Sequence, residues 1–181
     1  MTERSYPFVD GPTTDAEFSA MFRLLFPSSV HGYPGSNALQ VYADSTGLKV
    51  KLRAGAGFVR GHRYVNDAEL ELAIDANASG SMRIDTVVLH LEYAAVKAIN
   101  AVVVKGTPGE GAPSLTATEN GILQYPLADV AVASGASTIA PANVTDRRTW
   151  WGVEFMKSFG LQYGTVEPAA NEAFLFLKKG S

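Results

Sequence analysis

The sequence predicts a mainly β protein, an antiparallel β-sandwich or barrel-like domain carrying one N-terminal amphipathic α-helix. Three observations lead there. A capping-box tetrapeptide opens an apolar stripe of helical period near the start; from Ser36 onward the apolar period falls to 2; and clusters of Gly, Asn, Asp and Ser separate the short β-rich runs. The 181 residues divide accordingly into an arm and helix over 1–35, a β-sandwich domain over 36–149, and a C-terminal aromatic and apolar segment over 150–181.

In Thr14-Asp15-Ala16-Glu17 the Thr14 hydroxyl and the Glu17 carboxylate can each satisfy an orphan backbone amide, so a helix begins there. Phe18, Met21, Phe22 and Leu25 come next at i, i+3, i+4 and i+7, a stripe expected to face the core. Pro27 and Ser28-Ser29 end it. Leu39 to Tyr42 then opens the β region, and Asp44-Ser45-Thr46-Gly47 turns the chain.

Leu48, Val50 and Leu52 alternate with Lys49, Lys51 and Arg53, which predicts a strand with one buried and one cationic face. Gly55-Ala56-Gly57 reads as a hairpin turn, succeeded by a run from Phe58 to Val65. Leu70, Leu72 and Ile74 alternate with Glu69 and Glu71, and this acidic face is expected to pair with the basic one. Arg83 to Tyr93 and Ala95 to Lys105 are long β-branched runs joined by a tight hairpin. After a Gly and Pro loop over 106–114, the run from Ile122 to Val132 contains Pro126, which predicts an edge strand or a bulge. Ser134 to Ile139 reads as a turn and a short strand. The terminal run Phe174-Leu175-Phe176-Leu177 lacks polar alternation, so it must be covered on both sides or lie against another subunit.

Composition narrows the function. Hydrophobic residues make up 46% and charged residues 18%, enough apolar surface to offset the ordering entropy that keeps polar chains unfolded. A net charge of −3 with no single-signed tract argues against nucleic acid as a partner. The absence of cysteine excludes a disulfide framework, a Cys-ligated zinc, an iron–sulfur cluster and a thiol nucleophile. No apolar run approaches the ~20 residues of a membrane span, so no membrane insertion is expected. The opening MTERSYPFVDGPTT lacks the organisation of a secretory signal, and synthesis and folding in a cytoplasm are expected.

Few residues suggest chemistry. His31, His62 and His90 fall on separate elements without metal-ligand spacing, and His62 and His90 read as half-exposed sheet residues. No GxSxG occurs, and the segment after Gly55-Ala56-Gly57 reads as a strand, not as the helix a phosphate cradle requires. Asp75, Asp85, Glu92, Asp129 and Asp146 have no local signature of glycosidase carboxylates. No catalytic residue, metal site or cofactor is expected.

The most concentrated polar and aromatic cluster is Asp146-Arg147-Arg148 ahead of Trp150-Trp151. Arg147, Arg148, Trp150 and Trp151 are the candidate ligand or partner contacts, since paired aromatics beside charge can stack on sugar rings or grip a protein. The competing reading has Asp146 paired with an arginine while the tryptophans close the core.

Several strings, in order and spacing, resemble the attachment module of tailed-phage tail-fibre and baseplate proteins. These are Val41–Lys51 (VYADSTGLKVK), Gly57–Tyr64 (GFVRGHRY), Arg83–Leu89 (RIDTVVL), Gly106-Thr107-Pro108, Pro126–Val130 (PLADV) and Val144–Arg148 (VTDRR), within residues 6 to 149. The resemblance implies a non-catalytic virion structural protein, a homotrimer that contacts other phage tail or baseplate proteins and fixes a fibre or tip to the tail. Phe174, Leu175, Phe176 and Leu177 would then be oligomer contacts. Related chains often continue past the Asp-Arg motif into a coiled coil and a receptor-binding tip, whereas here the aromatic and apolar segment 150–181 takes that place. That difference adds an adaptor, a capsid-surface decoration or a head fibre to the expected roles. A host-surface carbohydrate-binding module using Trp150 and Trp151, and a cell-wall hydrolase, are the alternatives from other classes.

Overall fold

The computed structural model describes residues 13–93, 97–153, 162–164 and 176–178. The protein is mainly β, and its described residues include three antiparallel sheets and a short helix near the N-terminus, α1 (Asp15–Phe22). Among the described residues the sheets stay open and do not close into a barrel.

The capping box forms as the sequence predicts. The Thr14 amide donates to Glu17 Oε2 at 2.9 Å and the Glu17 amide donates to Thr14 Oγ1 at 3.3 Å. The apolar stripe, however, does not enter the core: Phe18 is 46% exposed, Leu25 is 45% exposed and lies past the helix end, and Ser19 is the buried helical residue. A close approach explains it. Ser19 donates its hydroxyl to the Arg60 carbonyl at 2.7 Å, and a Cβ on Gly61 would stand 3.0 Å from the Arg23 nitrogen. Only a small residue fits where the helix crosses that turn, so the aromatics stack along its flank.

β1 (Ser29–Val30), β4 (Gly55–Val59) and β5 (His62–Asn66) form the first sheet, in the order β1-β4-β5. Gly55 and Gly57 are therefore in a strand, contrary to the turn expected of them. Their lack of a side chain serves a crossing segment, because a Cβ would lie 2.5 Å from the Leu39 nitrogen at Gly55 and 2.8 Å from the Ser29 carbonyl oxygen at Gly57. The turn sits instead at Arg60-Gly61, where φ of 48° and 79° gives the two left-handed residues that a tight hairpin needs.

β2 (Val41–Tyr42), β3 (Lys49–Leu52) and β6 (Leu70–Ala73) form the second sheet, with β3 in the middle. Val50 and Leu52 are buried and Lys49 and Lys51 lie on the opposite face. Lys51 stands directly across from Glu71, Lys49 Nζ donates to Glu71 Oε1 at 2.8 Å, and Lys51 lies 3.5 Å from Glu69. The expected pairing of basic and acidic strands is thus present; Arg53 departs from it, donating to Gln40 Oε1 at 3.1 Å and covering the Tyr42 ring.

β7 (Arg83–Glu92), β8 (Ala98–Val104), β9 (Ile122–Val132) and β10 (Val144–Asp146) form the third sheet, in the order β10-β9-β7-β8. Pro126 therefore sits on an interior strand, not an edge. The register against β7 jumps there, Val87 facing Ala128 and Val88 facing Pro126, so Leu127 is the extra residue of a bulge. The displaced Leu127 carbonyl accepts from the Arg147 amide at 2.9 Å. No strand forms over 134–139; Ile139 instead docks on the 45–47 turn through hydrogen bonds with Ser45 and Gly47.

Side chains from all three sheets meet in one core, which includes Val30, Leu52, Val59, Leu89, Leu127 and Trp150. Separately, β11 (Gln162–Gly164) pairs in parallel with β12 (Phe176–Lys178).

Candidate functional site

The Asp146–Trp151 cluster is tied into the scaffold. Arg148 donates to Asp146 Oδ1 at 2.9 Å and Oδ2 at 2.7 Å, and its Nη1 donates to the Ala38 carbonyl at 2.6 Å and the Ser36 carbonyl at 3.1 Å. Its guanidinium covers the Trp150 ring at 4.7 Å, and the side chain is only 3% exposed. Burial pushes the Asp146 carboxyl up, but hydrogen bonds and charge from Arg148 more than reverse this and hold it below its ordinary value. Trp150 belongs to the core.

Arg147 and Trp151 keep more surface. Arg147 Nη1 donates to Asp129 Oδ2 at 2.9 Å, on the carboxylate that also accepts from the Thr86 hydroxyl at 2.7 Å. Trp151 donates its indole N–H to the Leu25 carbonyl at 3.1 Å, stacks on Phe26 with centroids 6.3 Å apart, and meets His31 edge-on. The two tryptophans therefore point into different surroundings and present no shared stacking platform. Phe174 and Leu175 lie outside the described residues, and Phe176 and Leu177 belong to β12.

Of the carboxylates without a catalytic signature, Asp75 and Asp85 are paired, as Asp129 and Asp146 are. Asp85 and Arg83 form a bidentate pair inside the third sheet, and the Gly106 amide donates to Asp85 Oδ1 at 3.0 Å. Lys105 pairs with Asp75 at 2.9 Å, and that bond holds the Asp75 carboxyl below its ordinary value.

A cleft of about 490 Å³ lies elsewhere, between β5, the β7–β8 hairpin and the start of α1. Its less exposed lining is buried Leu91 with half-buried His62, Tyr64, Glu92 and Tyr93, joined by Ala98 and Ile99 of β8. His62 Nε2 and the Tyr93 hydroxyl are 3.1 Å apart, with the rings edge-to-face at 5.3 Å. Burial lowers the His62 pKa, with a smaller opposing pull from Asp15, and burial raises that of Tyr64. The exposed rim carries Arg63 and the Asp15–Lys97 pair, whose charged atoms are 3.2 Å apart. Its residues come from four separated stretches with no motif between them; the one signal in the sequence is the half-exposed strand position of His62.

No family model, curated protein or solved structure matches the chain.

Proposed function

We propose that the protein is a phage virion structural protein, an attachment or adaptor module of the tail fibre or baseplate that assembles as a homotrimer. The observation that carries this reading is the use made of the resembling strings. They supply paired scaffold positions: Arg83 and Asp85 with the Gly106 amide, Asp129 with Arg147, and Asp146 with Arg148. Residues spent on fixing strand ends and loops suit a module that holds shape while joined to other proteins, with no substrate to turn over. Exposed Phe18, Leu24 and Leu25 around α1 add apolar surface of the kind that assemblies cover.

Light scattering on the purified protein tests the oligomer, and antibody labelling of virions in electron micrographs tests the location. A trimer together with label at the tail supports the reading. A stable monomer, or label confined to the head, counts against the trimer or the tail position respectively.

A further inference from the structure

We propose that the cleft between β5 and the β7–β8 hairpin binds a neutral polyhydroxylated ligand, a saccharide ring, with His62, Tyr64 and Tyr93 as its main contacts. This does not rest on the virion reading, and it places sugar binding away from the tryptophans.

The cleft's volume of about 490 Å³ falls within the range of small-ligand sites. Its charges decide the ligand class. Asp15 and Glu92 balance Arg63 and Lys97, so the cleft selects neither an anion such as phosphate nor a cation. Apart from Glu92, already counted in that balance, the half-buried lining adds no charge, since burial favours the neutral imidazole of His62 and the neutral phenol of Tyr64. What remains is a set of groups that donate and accept hydrogen bonds, set beside aromatic rings and buried Leu91. A sugar ring offers the complement, hydroxyls along its edge and C–H groups on its face, and amphipathic tyrosines suit both.

The wall is also oriented in advance. The His62–Tyr93 contact fixes both rings against each other, and Phe18 lies 6.2 Å from the imidazole on its helix side, which reduces the ordering cost of binding. The Asp15–Lys97 pair is more than half exposed on both partners, so it is held weakly and either group can turn to a ligand hydroxyl.

The test titrates the full chain, ¹⁵N-labelled, with the methyl glycosides of glucose, galactose, rhamnose and N-acetylglucosamine, and separately with inorganic phosphate and N-acetylglycinamide. The expected result is saturable millimolar binding of at least one glycoside, with amide shifts centred on residues 62–65 and 91–93. Tyr93→Phe should weaken it roughly tenfold by removing a hydroxyl contact. Arg63→Ala, at an exposed position where folding is not at stake, should weaken it several-fold. Trp151→Phe should leave it unchanged. No glycoside binding, stronger binding of phosphate or the amide, or shifts centred on Trp151 would each overturn the proposal.

Discussion

Arg83 and Asp85 stand two residues apart on β7, and the guanidinium grips the carboxylate through Nε at 2.7 Å and Nη2 at 2.8 Å, with both side chains all but removed from solvent. Arg83 Nη2 and Nη1 also donate to the Asp75 and Ala76 carbonyls at 2.6 and 3.1 Å. The arrangement closes the end of the third sheet while leaving neither charge unpaired.

Removing one partner leaves the other charge buried alone. Arg83→Met or Asp85→Asn is therefore expected to cost about 3–5 kcal/mol in urea unfolding. The double variant Arg83→Met/Asp85→Asn should cost less than the two singles combined, and strict additivity would show that the pair is not coupled.

Asp44 governs part of the acid response. The Thr46 hydroxyl and then Lys51 lower its pKa from 3.8 to about 2. The group is deprotonated in the folded state where the unfolded chain would bind a proton, so its stabilising effect is present above pH ~4 and is lost as pH falls towards about 2. Melting temperature measured across that window should fall less steeply for Asp44→Asn than for the parent.

The crossing glycines should not accept a methyl group. Gly55→Ala would drive a Cβ into the backbone of Ala38 and Leu39, and about 1–3 kcal/mol of destabilisation is expected. Gly111→Ala meets nothing within 4 Å and has no left-handed backbone to strain, so its unfolding midpoint should be close to that of the parent.

The adjacent arginines should respond differently. Arg148→Lys loses the planar fork shared by Asp146, Ser36 and Ala38, at about 1–3 kcal/mol. Arg147→Ala removes a pair with a 41% exposed guanidinium, and less than about 1 kcal/mol is expected. Thermal denaturation of the two variants side by side decides it; equal losses would contradict the assignment.

The parts of the fold legible in the sequence are those written in short windows. Thr14 and Glu17 announce the helix start, and the alternation of Lys49, Val50, Lys51 and Leu52 reveals which face is buried and what charge its neighbour carries. Gly55 and Gly57 mislead because a glycine read alone suggests a turn, whereas here the reason is a chain segment sixteen or more positions earlier passing over the strand. Phe18 and Leu25 mislead because helical spacing reports which residues share a face, but the crossing at Gly61 decides which face can approach. Pro126 is half legible: a missing N–H demands a break in the ladder, and an interior bulge supplies it as well as an edge does. The cleft has no window at all, because its walls meet only once the sheets are assembled.

The joint between Arg148 and Ala38 spans 110 positions of chain, and Val30 likewise donates its amide to the Thr149 carbonyl. Elongation at about 5–20 residues per second separates the two ends by on the order of 10 s. During translation β1 and the segment before β2 therefore emerge long before the residues that fasten them, while the β4–β5 hairpin can already close. The nascent chain must hold its early strands unlatched until the Asp-Arg motif clears the ribosome. Emergence of that motif, not of the first strands, sets when the fold can lock.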